Sequence, residues 1–288
     1  MEQIGHFTRF GTVLMTNTGQ RVLSAVVLIS IIVSSLWGGR IPMMSVMLVF
    51  GVLYVHELEV NFFKHLVFSF KYMGSQFIFI GSFTYFGFLS QGQNVSAFIF
   101  IGLLQNALLL YYFFATKLES KRFIRFFSKI PCFPGIFVTI PFGAVLSFFQ
   151  YERWIEYLLI LVLATFGMDS LAWFWGKALG KKKLCPIISP KKTIEGLLGG
   201  GLSTALVICL CYHYLAPGPL TASKVLIFLT LPFLSQLGDL IQSKIKRQVG
   251  IKDSSSLIPG HGGVYDRIDS IVFVGPFMAI LVRLFLWY

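Results

Sequence analysis

Charge is what this chain has least of. Asp, Glu, Lys and Arg make up 12% of its 288 residues, against about 25% in an ordinary soluble domain. The shortage falls hardest on the acids: 12 Asp and Glu stand against 24 Lys and Arg, a formal net charge of +12. Too few charged residues remain to cover a water-exposed surface, which excludes a soluble globular enzyme. Cysteine is scarce as well. Cys132, Cys185, Cys209 and Cys211 form no C-x-x-C pair, so they read as reduced or buried thiols with no zinc site. The first twenty residues are polar and mixed, and no small-residue cleavage site follows the first apolar run, so the N-terminus does not read as a cleavable signal. Internal repeats and low-complexity segments are missing too.

What the chain does have is apolar length. Hydrophobic residues are 56% of it and the mean hydropathy is +0.76. The fold class is all-α, a polytopic integral membrane protein. A spanning helix needs about 20 apolar residues, and about nine runs approach that length. They are residues 22–37, 41–55, 71–89, 95–115, 134–149, 157–177, 196–215, 224–241 and 271–287. The first two are short and must borrow flanking residues. Residues 56–65, with Glu57, Glu59 and Lys64, read as a polar connection. Residues 116–129 set Lys117, Lys121, Arg122, Arg125 and Lys129 among Phe123, Ile124, Phe126 and Phe127. That is a basic amphipathic segment suited to a membrane interface.

The basic loops at 177–192 and 244–252 are separated by two spans and share a side with residues 116–133 and Arg21. The opposite turns, 90–94, 151–156 and 216–221, carry little positive charge. The positive-inside rule then puts the N-terminus inside and the C-terminus outside. On this reading the +12 charge serves cytoplasmic loops, anionic headgroups and a nucleotide rather than a nucleic acid. The 31 Phe are lipid-facing or core residues, not a base-stacking platform. Two regions are expected: 1–133, membrane helices with the basic segment, and 134–288, a membrane region carrying a polar site.

That site centres on residues 243–269, SKIKRQVGIKDSSSLIPGHGGVYDRID. Ionisable residues between membrane helices are costly and default to function. Acids and bases beside a glycine turn suit a metal ion and phosphate together. Asp266 and Asp269 are three residues apart and would share a helical face, where they repel unless a cation lies between them. Gly262 and Gly263 allow a tight turn and close backbone approach to phosphate. His261 beside them is a phosphate donor candidate. Three upstream elements are also polar. Asp169 lies late in the sixth run, either at the interface or facing a wet cavity. Residues 189–196, SPKKTIEG, hold Ser189, Lys191, Lys192 and Thr193. Pro190 would stop a helix and Thr193 cap the next, leaving the lysines as a phosphate contact or an ordinary basic loop. Asp239 follows Gly238, which lets a helix or ligand approach closely, and shares a helix face with Ser243.

Residues Ser243, Lys246, Arg247, Lys252, Asp253, Ser255, Pro259, His261, Gly262, Gly263, Asp266, Arg267 and Asp269 closely resemble the signature of the phosphatidate cytidylyltransferases. The upstream Asp-Ser-x-Ala-aromatic, Ser-Pro-Lys-Lys-Thr-x-Glu-Gly and Gly-Asp elements resemble that family too, with Ile194 where an aromatic is common. The resemblance implies transfer of a cytidylyl group from CTP to phosphatidate, giving CDP-diacylglycerol and pyrophosphate. It implies a Mg²⁺ site from Asp239 and Asp266, with Asp269 as a further ligand or a partner of Arg267, and leaves a monovalent cation beside it open. It places Asp169 in a cavity and implies a homodimer. Lys246, Arg247, Lys252 and Arg267 would meet phosphates, with Asp253 and His261 beside them, and Lys191 and Lys192 would hold phosphatidate or pyrophosphate. Its nucleophile is a phosphate monoester, largely dianionic at neutral pH, so no general base is required. The modest length points to a bacterial inner membrane, with the site facing the cytoplasm. Two other readings compete: a CTP-dependent transferase or kinase with an ether-lipid or polyprenyl acceptor, and a transporter of anionic lipid.

Overall fold

The computed structural model describes residues 17–90, 95–215 and 218–286. The polar arm before residue 17, most of the 90–94 turn, residues 216–217 and the last two residues of the chain lie outside them. Eleven α-helices are described: α1 (Asn17–Gly38), α2 (Arg40–Glu57), α3 (Phe70–Phe83), α4 (Ser96–Ala115), α5 (Arg122–Phe127), α6 (Phe133–Leu146), α7 (Trp154–Val162), α8 (Met168–Leu179), α9 (Ile194–Leu215), α10 (Ala222–Val249) and α11 (Tyr265–Leu281). A wider turn, Leu163–Gly167, joins α7 to α8 in one continuous rod, and similar turns extend α2 to Phe62 and α3 to Leu89.

Each of the nine apolar runs coincides with helix. Six helical segments among the described residues are long and apolar enough to cross a membrane: Arg40–Phe62, Ser96–Ala115, Phe133–Gln150, Trp154–Leu179, Ile194–Tyr214 and Ala222–Val249. The protein is thus an all-α integral membrane protein. α1 offers only a shorter apolar stretch, Val22–Gly38. Lys71, Ser75 and Gln76 dilute α3, and Asp266, Arg267 and Asp269 open α11.

The core forms around α6, which packs against α2, α3, α4 and α11 and buries Phe137, Val138, Phe142 and Leu146. α8 lies on α9, and α10 lies between α9 and α11. Gly238 permits the α10–α11 approach. A Cβ there would sit 2.6 Å from Phe273 Cβ, so the close approach expected of this glycine is to a helix.

Three expectations from the sequence are corrected. Residues 56–62 are not a connection but the helical end of α2, and Glu57 and Glu59 are fully buried there. The second span is therefore 23 residues, not a short one. Glu59 can be buried because Ser75 donates to one of its oxygens and His65 meets the other. Secondly, residues 244–249 are not loop. α10 continues through them because its charged side chains find partners. The buried Lys244 ammonium donates to the carbonyls of Phe113, at 2.8 Å, and Thr116, oxygens that the C-terminus of α4 leaves unpaired. The helix stops at Gly250, which takes φ +85°, the left-handed cap glycine favours. Thirdly, residues 183–193 form a β-hairpin: β1 (Lys183–Cys185) pairs antiparallel with β2 (Ser189–Thr193). Pro190 lies in a strand rather than ending a helix. Thr193 does cap the following helix, its Oγ1 accepting from Gly196 N at 3.1 Å.

Candidate functional site

Four elements that are distant in sequence bring their charges together. α8 contributes Asp169, β2 contributes Lys192, α10 contributes Asp239 and Lys246, and α11 contributes Asp266, Arg267 and Asp269. Lys192 is ion-paired with Asp239. Lys246 Nζ lies 2.7 Å from Asp266 Oδ1 and 3.7 Å from Asp269 Oδ2, and 5.6 Å above the Tyr265 ring. The cation that two carboxylates on one face require is thus a lysine of the neighbouring helix. Asp169 is exposed on α8 and lies within electrostatic reach of Lys192, Arg267 and Lys246.

Strand geometry separates the two adjacent lysines, because successive side chains point to opposite faces. Lys192 turns to Asp239, while Lys191 is exposed. Other candidates stay outside the cluster. Lys252 and Asp253 are exposed on the loop after α10. Arg247 donates to Ile251 O at 3.0 Å and closes its own turn. Ser189 pairs in the hairpin opposite Cys185, and Ser243 is half-buried on α10. His261 Nδ1 lies 2.7 Å from Ser24 Oγ of α1, and its carbonyl accepts from Arg267 Nε at 3.0 Å.

The glycine turn is built tightly. Gly262 has φ +82°, which a side chain would strain. The Gly263 N–H donates to Asp266 Oδ2 at 3.0 Å. The same oxygen accepts from Ser254 N at 2.7 Å and Ser254 Oγ at 2.9 Å. That N–H, a candidate phosphate donor in the sequence, is engaged by a carboxylate. Asp266 therefore organises its own loop with one oxygen and meets Lys246 with the other.

One buried carboxylate beside this loop is not singled out by the sequence. Glu57, at the end of α2, is 1% exposed and accepts four hydrogen bonds from the same loop. Its Oε1 takes Ser255 Oγ at 2.6 Å and Val264 N at 2.9 Å; its Oε2 takes Ser254 Oγ and Tyr265 N, both at 2.8 Å. The available signal is the HELE run closing an apolar helix, because carboxylates at membrane depth default to function. Glu57 lies in the 1–133 region, and the loop it holds lies in the 134–288 region.

The electrostatics bear on a metal. Four carboxylates (Asp169, Asp239, Asp266, Asp269) meet three cations (Lys192, Lys246, Arg267). Lys192 and Lys246 are each paired with a carboxylate, so the acids of the cluster outnumber its cations. Among the described residues no three acidic, imidazole or thiol side chains form a ready-made metal cage. Magnesium does not need one, because it binds through one or two carboxylates and keeps water and phosphate oxygens. Asp239 and Asp266 offer hard oxygens of the kind such an ion takes, with water and phosphate oxygens left to complete its shell.

The phosphatidate cytidylyltransferase of Bacillus subtilis (strain 168) is 44% identical over 132 residues, 46% of this chain and 49% of that protein. Those of Staphylococcus aureus (strain COL) and Staphylococcus epidermidis (strain ATCC 12228 / FDA PCI 1200) are 37% identical over 168 residues and 35% over 167, each 58% of this chain and 64% of the relative. The chain spans about half to just under two-thirds of the length of these relatives. The family match is wider: residues 19–285 fit the pattern described as the cytidylyltransferase family, taking in every residue of the charged cluster together with Glu57, and the chain belongs to that family.

Proposed function

We propose that the protein transfers the cytidylyl group of CTP to phosphatidate, giving CDP-diacylglycerol and pyrophosphate. The observation that carries this reading is the charged cleft of Asp169, Lys192, Asp239, Lys246, Asp266, Arg267 and Asp269 within a bundle of apolar helices. A headgroup can enter such a cleft while its acyl chains stay in the bilayer. The same reading has nine spans, with the N-terminus inside, in a bacterial inner membrane, the cleft opening to the cytoplasm, and two copies forming a homodimer.

In the reaction a phosphate oxygen of phosphatidate attacks the α-phosphorus of CTP. The bond from that phosphorus to the bridging oxygen of the β-phosphate breaks, and pyrophosphate leaves with the electron pair. The attacking oxygen is already ionised, so the chain need supply no base. Its task is to hold two polyanions in line. In this reading Arg267 and Lys246 meet the phosphates from within the cluster, and Lys191, Arg247 and Lys252 add positive charge from outside it. Asp239, Asp266 and Asp269 would hold Mg²⁺, which when bound would neutralise charge on the triphosphate and on the leaving group. Dependence on a monovalent cation is tested in the same assay by exchanging K⁺ for Na⁺.

The test is transfer of label from α-phosphate-labelled CTP into lipid, in mixed micelles with phosphatidate. Labelled CDP-lipid is expected, lost with EDTA and restored by Mg²⁺. Transfer only to an ether-lipid or polyprenyl phosphate would change the acceptor. No nucleotide chemistry in folded protein would overturn the reading in favour of transport.

The split between the two lysines gives a second expected result. Lys192→Ala leaves Asp239 without its ammonium and lowers turnover roughly a hundredfold. Lys191→Ala changes it by about threefold or less, as a rim charge should. Steady-state kinetics on both variants checks this, and equal losses would mean that β2 does not hold the register described.

A further inference from the structure

Glu57 has no place among the candidate phosphate or metal contacts, yet it makes more hydrogen bonds to the 254–265 loop than any side chain of the cluster. Its two oxygens reach both ends of that loop. Ser254 and Ser255 hold it at the beginning, and the amides of Val264 and Tyr265 hold it at the end. Those amides open α11, where N–H groups lack intrahelical partners and a negative charge is favoured. The fit is close. A Cβ on Gly263 would collide with both Glu57 oxygens and Ser254 Oγ, so the glycine is required by the carboxylate behind it as much as by any ligand in front.

Ser254 connects this carboxylate to the cleft. Its hydroxyl lies 2.8 Å from Glu57 Oε2 and 2.9 Å from Asp266 Oδ2. A hydroxyl has one proton to donate, so Ser254 is shared between the two acids and ties the position of one to the other. Asp266 in turn sets Lys246 through its other oxygen. The chain of contact runs Glu57, Ser254, Asp266, Lys246, from a helix of the N-terminal half to the centre of the charged cluster.

We propose that Glu57 is a positioning residue of the transfer site. It staples the two ends of the 254–265 loop and so fixes Asp266 and Lys246 in the reactive arrangement without touching substrate itself. This rests on the cytidylyltransfer reading. Because Glu57 acts on the geometry of reaction rather than on the exposed basic residues of the rim, its removal should act on kcat and spare KM.

The experiment uses the full chain in mixed micelles. For monodisperse Glu57→Gln, kcat is expected to fall about a hundredfold, the cost of a misplacement near 1 Å, with KM for CTP and phosphatidate within about threefold of the parent. Hydrogen–deuterium exchange should rise at residues 254–265 and little elsewhere. Ser255→Ala removes one donor at the loop's edge and serves if Glu57→Gln does not fold; about a tenfold loss in kcat with unchanged KM is expected. A folded Glu57→Gln with parental kcat, or a loss expressed through KM, overturns the proposal. So does parental kcat in Ser255→Ala when Glu57→Gln cannot be obtained. Should the parent protein make no CDP-lipid, the functional reading fails, and the exchange data alone decide whether Glu57 holds the loop.

Discussion

Asp266→Asn is expected to abolish label transfer while leaving the protein folded. The substitution keeps the shape of the side chain and one carbonyl oxygen. That oxygen can still take the donors of Ser254 and Gly263, which hold Asp266 Oδ2 at 2.7–3.0 Å. What disappears is the charge. Lys246 loses its 2.7 Å partner, and a hydrogen bond to a charged group is worth about 1.5–3 kcal/mol. A cation held partly by this carboxylate would lose an anionic ligand as well. The combined effect on turnover should reach at least about a hundredfold, the scale of losing one preorganised electrostatic contact. The size-exclusion profile in detergent should stay near the parent's, while the thermal midpoint falls, by less than for loss of Lys246 itself, because Lys246 keeps Asp269 at 3.7 Å. Near-parental turnover would remove Asp266 from the site. Mn²⁺ binding by paramagnetic resonance separates the two roles the residue can play. Weaker binding in the variant marks a metal ligand, and unchanged binding with lost turnover marks an organiser of the loop.

Much of this arrangement is legible in the amino-acid sequence. Apolar runs in helical membranes announce themselves by length, and all nine coincide with helix. The 243–269 stretch is legible because acids, bases and glycines crowd into a region otherwise poor in charge. Pairing is not legible. Asp239 has Lys244 and Lys246 as neighbours along α10, yet it meets Lys192 from a hairpin. Lys246 meets Asp266 and Asp269 across an interhelical contact. Spacing along one helix says which residues share a face; it says nothing about which other element lies opposite. The same limit hides Glu57, whose partners are about two hundred positions away. It also makes the end of α2 look like a polar connection, because charge alone suggests water while the buried donors of Ser75 and the 254–265 loop lie elsewhere in the sequence.

Lys246→Met should cost the protein both its activity and a large part of its stability. Lys246 is buried, with Asp266 at 2.7 Å, Asp269 at 3.7 Å and the Tyr265 ring beneath it. Methionine fills nearly the same volume, so packing is largely kept and the charge is what is lost. Two carboxylates on one face of α11 are then left facing each other in a low-dielectric setting. Breaking a buried ion pair by deleting one partner costs about 3–5 kcal/mol, because the remaining charge is uncompensated. The thermal midpoint in detergent should fall accordingly, and label transfer should vanish. The double variant Lys246→Met with Asp269→Asn distinguishes the causes. Removing one of the two orphaned acids should restore part of the stability, since the residues are in contact and their effects are not additive. It should restore no turnover, because the reacting phosphates would still lack the lysine and an acid at the centre of the cleft. A Lys246→Met protein with parental melting and parental turnover would mean that the three-residue ion cluster does not form in the membrane protein, and the charged cleft would have to be redrawn around Lys192 and Asp239.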